Sequence, residues 1–283
     1  MKIKIVFLYI SALSLGVLFG QLSSTLVGVL PDAVSESSGL LYYDDTLITH
    51  NDSGNAPILY QLNNKTLKIE KEIEVVNAKN IDWEDLAQDL NYIYVGDFGN
   101  YWGDREDLVV YKISKEAIKT SKKVSAEKIF YSYPDKKDNK RKGSNDFDAE
   151  AMFYKNNELY ILTKQWRGKK TAAYKIPVKP GKYIATKVGE YNTKGLVTGA
   201  TYNTKSNKVV LVGYNMFMMP FVVEVNNSTN TNLFAGVTKR TQLDIGFVQM
   251  EGIATLPNGG YYMSSESFTK LGASASIYKL DGK

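Results

Sequence analysis

The chain contains no cysteine. Disulfides, thiolate metal sites, cysteine nucleophiles and lipoprotein attachment are thereby excluded. It contains a single histidine, His50. No site can draw on two imidazole ligands, and a Ser-His-Asp triad would depend on that one residue. The nucleophile pattern G-x-S-x-G is also missing. The excess of one sign of charge is small: 35 Lys and Arg stand against 30 Asp and Glu, a formal net charge of +5, and Lys2 and Lys4 belong to the expected leader. So mild a balance points away from nucleic acid and from anionic membrane surfaces. No long amphipathic helical pattern occurs, and "SKEAIKTSKK" (114–123) supports at most a surface turn of helix.

What is present favours strands. The 283 residues are 43% hydrophobic and include 20 tyrosines, with valine, isoleucine and threonine common. The start reads MKIK, then an apolar run over 5–20, then QLSS. This is the pattern of a secretory signal peptide over 1–20, shorter than a membrane span requires. Residues 21–283 then form a single exported domain, periplasmic or extracellular, with no membrane span in the mature chain. An uncleaved N-terminal anchor is the alternative.

The domain repeats itself. "ESSGL" from Glu36, "DWEDLA" from Asp82, "DAEAM" from Asp148, "LVTGATY" from Leu196 and "QMEGIA" from Gln249 align. Each is followed by a second β-type run ("LITHNDSGN", "YIYVGDFGN", "LYILTKQWRG", "VVLVGYN", "YYMSSESF") and then a third ("PILYQL", "LVVYKI", "TAAYKI", "FVVEV", "SIYKL"). Four units add a fourth, "IEKEIEVV", "EKIFYSY", "IATKVGEY" and "LFAGVTK". Four strands per unit in series are the signature of an all-β β-propeller, here with five blades. A six-bladed ring is the alternative, because the stretch from Asp97 to Asp148 has room for more strands. The last unit lacks its fourth strand. "SSTLVGVL", ahead of the first blade, is expected to supply it and close the ring.

Antiparallel connectivity brings the start of each first strand and the end of each second strand to one mouth. One aligned tier of first-strand residues reads Ser38, Glu84, Glu150, Thr198 and Glu251; the tier two residues earlier reads Glu36, Asp82, Asp148, Leu196 and Gln249. The second strands end in Asp52, Asp97, Lys164, Tyr214 and Glu266. Crowded carboxylates raise one another's pKa and need compensation. A hard cation such as Ca²⁺ would supply it, with Glu36, Asp82, Glu84, Asp148, Glu150 and Glu251 as candidate ligands. Ion pairs to Lys164, Arg105 or Arg167, or purely structural hydrogen bonds, are the other remedies. Asp52, Asp97, Lys164, Tyr214 and Glu266, with Trp102 and Trp166 on an aromatic rim shared with Tyr101 and Phe217, are candidates for contacting a ligand. Packing between blades is the structural reading of those aromatics. His50 reads first as a structural histidine and Trp83, between Asp82 and Glu84, as blade core. The basic loop "PDKKDNKRKGSND" (134–146) reads as solvated.

At "ESSGL", "HNDSGN", "DWEDLA", "VGDFGN", "FDAEAM" and "EGIA" the chain resembles exported bacterial propeller proteins described as SdiA-regulated-like, esterase-like phytase or NHL-like. The resemblance covers nearly everything after the leader and implies the propeller fold. The gluconolactonase and paraoxonase propellers, more distant in type, hold Ca²⁺ in the channel with Glu, Asn and Asp. Glu36, Glu84, Glu150 and Glu251 match that style, but the asparagine ligands have no clear counterpart here. Three function classes follow. The first is an exported propeller binding a cation and a small-molecule or protein ligand at its mouth, as a monomer. The second is a metal-dependent hydrolase of ester, lactone or phosphoester substrates. The third is a protein-interaction scaffold with a structural acid ring.

Overall fold

A computed structural model describes residues 23–280, apart from 227, 237 and 270–271. The expected leader, 1–20, lies outside the described residues. In chain order the elements are β1 (Ser24–Val29), then β2 (Ser37–Tyr43), β3 (Thr46–Asn51), β4 (Ile58–Asn63) and β5 (Ile69–Val75). Next come β6 (Trp83–Gln88), β7 (Tyr92–Asp97), β8 (Val109–Ser114), helix α1 (Lys115–Thr120), β9 (Lys123–Val124) and β10 (Glu127–Ser132). Then follow β11 (Ala149–Lys155), β12 (Glu158–Thr163), β13 (Thr171–Pro177), β14 (Gly181–Ile184) and β15 (Thr186–Tyr191). The chain ends with β16 (Leu196–Asn203), β17 (Lys208–Tyr214), β18 (Pro220–Asn226), β19 (Thr238–Gln242), β20 (Met250–Thr255), β21 (Tyr261–Ser265) and β22 (Ser276–Leu280).

These strands form five sheets, and the ring is a five-bladed propeller. The first strands β2, β6, β11, β16 and β20 touch in succession around the ring, so they line its axis. Between successive blades lie five apolar clusters, each drawing its residues from the two sheets that flank it. Strand alternation makes this arrangement: each sheet presents apolar side chains on both faces. The largest buried side chain, Trp83, packs between the first and second blades, against His50 and Tyr111.

Closure runs as expected from the sequence. β1 pairs antiparallel with β22, from Ser24 opposite Leu280 to Val29 opposite Ser276, and gives the last blade its outer strand. The stretch between Asp97 and Asp148 holds no sixth blade; it contains β8, α1, β9, β10 and the basic loop. Two short strands extend neighbouring blades instead: β9 adds in parallel to β5, and β14 adds in parallel to β10. One expectation is corrected. The outer strand of the fourth blade is β19, not "LFAGVTK" (233–239). Leu233 is fully buried in the preceding loop, joins the cluster between blades three and four, and donates its N–H to Val188 O. Its apolar character reflects that packing, not a strand. Among the described residues no helix is long and apolar enough to cross a membrane.

Candidate metal centre

Each of the five first strands breaks register at the same place. The skipped residue is Glu84 in β6, Glu150 in β11, Thr198 in β16 and Glu251 in β20; in β2 it falls at Ser38 and Gly39. A β-bulge leaves one residue unpaired and re-aims its side chain. All five are buried, and the three glutamates line one cavity at the mouth of the channel. The hydroxyls of the same tier turn to the next blade: Ser38 Oγ donates to Glu84 O, and Thr198 Oγ1 donates to Met250 O.

The cavity, of ≈ 260 Å³, is lined by Asp52, Asp82, Glu84, Asp148, Glu150, Glu251 and Glu266, together with Ser53, Tyr101, Lys164, Trp166, Tyr214 and Gln249. Seven carboxylates therefore meet a single ammonium there. Backbone bonds explain the convergence. Asp52, Lys164 and Glu266 donate their N–H groups to Glu36, Asp148 and Gln249, and Leu196 faces Tyr214. In the second blade the residue in that register is Phe98, whose N–H reaches Asp82 O. Asp97 stands one residue earlier, opposite Trp83. Its carboxylate turns out of the cavity to Arg105, 2.9 Å away, and also accepts the Asp82 N–H. Two further sequence candidates lie apart from the cavity wall. Glu36 accepts a hydrogen bond from Asn55 Nδ2 at 2.6 Å. Trp102 is half exposed, edge-on to Tyr101 and covered by the Arg141 guanidinium. Phe217 and Arg167 are also outside the wall.

Burial dominates the electrostatics. Asp82 is pushed up to about 7 by burial and by Asp52 and Asp148. Glu266 is pushed up to about 7 by burial and by Asp52. Burial, reinforced by Glu150 and Asp52, carries Glu84 well above the carboxylate range. Glu150 and Glu251 rise for the same primary reason, with Lys164 opposing. Asp148 also rises through burial, although Asn100 N–H and Trp166 Nε1–H both donate to it at 2.6 Å. Burial alone would lower Lys164, but Glu150 at 3.0 Å overrides it and the ammonium persists. That ammonium also lies over the Trp166 ring, 4.7 Å from its centroid. His50 is no part of this site. It is fully buried, burial lowers it to about 4, and its ring hydrogen-bonds Asn51 O.

Sequence reasoning missed four residues that build the centre. Asn80 donates to the carbonyls of Asn51 and Asp52 and accepts the Trp83 N–H, which fixes the loop carrying Asp52. Gly99 lets the "GDFGN" turn pass over the acids: a Cβ there would stand 2.1 Å from Glu84 Oε1 and 2.4 Å from the Asp82 carboxylate. Asn100 caps Asp148. Asp85 is fully buried and accepts from Leu86 N, Met152 N and Ala200 N, reaching three different blades. The position aligned with Asp85 holds Gly39, Ala151, Gly199 and Gly252 in the other blades. That run of small residues beside one acid was the available signal. At three of these positions the neighbouring blade's backbone comes close: a Cβ on Gly39, Gly199 or Gly252 would stand 2.7 Å from Leu86 N, 2.5 Å from Glu251 O or 2.5 Å from Ser38 O.

No family model and no curated protein matches the chain. Its fold does have likenesses among solved structures. An oxidoreductase (glucose dehydrogenase) of Thermus thermophilus aligns with a TM-score of 0.51 at 10% identity, covering 92% of this chain and 100% of that one. The soluble aldose sugar dehydrogenase of Escherichia coli, in its apo form, aligns with a TM-score of 0.50 at 10% identity, covering 93% and 100%. At such identity the likeness shows the propeller fold and nothing about chemistry.

Proposed function

We propose that this chain is an exported propeller, periplasmic or extracellular, whose acidic mouth binds a divalent cation, calcium, and through it a small-molecule or protein ligand. The observation that carries the reading is the imbalance of the cavity wall, seven carboxylates to one lysine. Like charges at that density stay ionised only with a compensating cation. The donor set is oxygen alone, which suits a hard ion of six to eight ligands and disfavours zinc or copper. Tyr101, Trp166 and Tyr214 form the aromatic side of the same wall, against which an organic ligand would pack. The motifs shared with SdiA-regulated-like, esterase-like phytase and NHL-like proteins support the assignment to exported bacterial propellers.

One observation favours a second reading, metal-dependent hydrolysis of an ester, lactone or phosphoester. In the metal-free protein burial holds Asp82 and Glu266 near 7, and whichever of them a cation leaves free lies in the range where a general base works. A bound calcium would polarise the substrate. His50 is too deeply buried to serve as that base.

Thermal melts of the protein, freed of metal and then titrated with calcium or magnesium, test the binding reading. Calcium should raise the melting temperature and a chelator should reverse the rise. A melt that neither ion moves overturns it and leaves Lys164 as the resident counter-charge.

A further inference from the structure

The acids of the mouth fall into two groups. Asp52, Asp82 and Glu84 each offer an oxygen within 4.8 Å of the others, and so do Glu84, Asp148 and Glu150. Glu84 is common to both. Three of its four neighbours have donors of their own: Ser53 N–H on Asp52, Asn100 and Trp166 on Asp148, Lys164 on Glu150. The fourth, Asp82, is less deeply buried than Glu84. Glu84 is only 6% exposed and lines the cavity, yet no donor among the described residues hydrogen-bonds its carboxylate. Buried polar groups find partners, and the cavity that Glu84 lines is open to one from outside the chain. A carboxylate has two oxygens, so one buried glutamate can serve a cation on each side.

We infer that the mouth holds two divalent cations side by side, bridged by Glu84, one completed by Asp52 and Asp82 and the other by Asp148 and Glu150. This rests on the cation-binding reading of the mouth. The charge agrees with it: one divalent ion leaves most of the negative charge of seven carboxylates uncompensated, and two bring the wall much closer to neutrality. The two positions are unequal. Among the described residues no ammonium or guanidinium is bonded to the trio with Asp52 and Asp82, and Arg105 is held by Asp97 and Asp107 instead. The other trio shares Glu150 with Lys164. The first position therefore fills first, and the second competes with the ammonium.

Calorimetric titration of the metal-freed chain with calcium tests this. Two ions should bind, one tighter than the other. Asp52→Asn should remove the tight step and keep one ion. Lys164→Met should tighten the weaker step tenfold or more, and Glu84→Gln should weaken both. Circular dichroism without calcium checks that each variant is folded. A stoichiometry of one in both the unmodified protein and Lys164→Met overturns the pair while the single-cation reading stands. A stoichiometry of zero overturns both.

Discussion

Glu84 and Asp85 are neighbours in one strand, both acidic and both buried, and their surroundings could hardly differ more. Asp85 spends its lone pairs on three backbone amides from three blades. Glu84 receives no donor from the described residues and faces six other carboxylates. The bulge between Trp83 and Asp85 makes the contrast, because it turns both side chains inward at successive levels of the channel. An acid saturated by amides belongs to the fold. An acid left bare beside others is a place for a ligand.

The largest effect should come from the saturated acid. Asp85→Asn puts an amide donor in place of the oxygen shared by Met152 N and Ala200 N, and the loss should be about 3–5 kcal/mol, from two buried donors left unsatisfied at roughly 1–3 kcal/mol each. Denaturant unfolding measures it, and whatever calcium response remains should be unaltered in sign. A loss under about 1 kcal/mol would erase the distinction between the two acids. Next in size, Glu84→Gln should barely change the metal-free protein, or stabilise it, while cutting the gain from calcium. That gain is about 2.7 kcal/mol at one hundred times Kd for a single ion.

The pH dependence sharpens the same contrast. Asp82 and Glu266 titrate near 7 when folded, above their ordinary 3.8 and 4.5. Between those values the folded state holds more protons than the unfolded state, so stability falls as pH rises. The metal-free melt should therefore be highest near pH 4 and decline toward pH 7, and saturating calcium should flatten or invert that slope by displacing the protons. The smallest effect belongs to Glu190, on β15 at the outer edge of the third blade, where it meets Lys170 and Lys187 at 3.3 and 3.4 Å. Glu190→Gln should change stability by no more than about 0.5 kcal/mol and leave the calcium response intact.

Much of this was legible from the sequence. The five-fold repeat, the closing strand and both acid tiers follow from strand periodicity and alignment, and the backbone pairing of Asp52, Lys164 and Glu266 with the first strands agrees with them. The second blade was legible only to within a residue. "VGDFGN" offers an acid at Asp97, but register gives its place to Phe98. Bulges add a residue without leaving a mark in composition, so the shared inward turn of Glu84 and Asp85 was not readable. Asp85 carried no signal of its role in "DWEDLA", because two of its three amide partners, Met152 N and Ala200 N, lie on strands distant in sequence. Gly99 and Asn80 act through close backbone approach, which no spacing rule encodes.

The most direct test is a high-resolution crystal structure of the protein grown with calcium. The account predicts density with Ca–O distances of about 2.3–2.6 Å at Asp52, Asp82 and Glu84, with a second ion across Glu84 toward Asp148 and Glu150. A mouth free of calcium at saturating concentration, with Lys164 alone among the carboxylates, would contradict it.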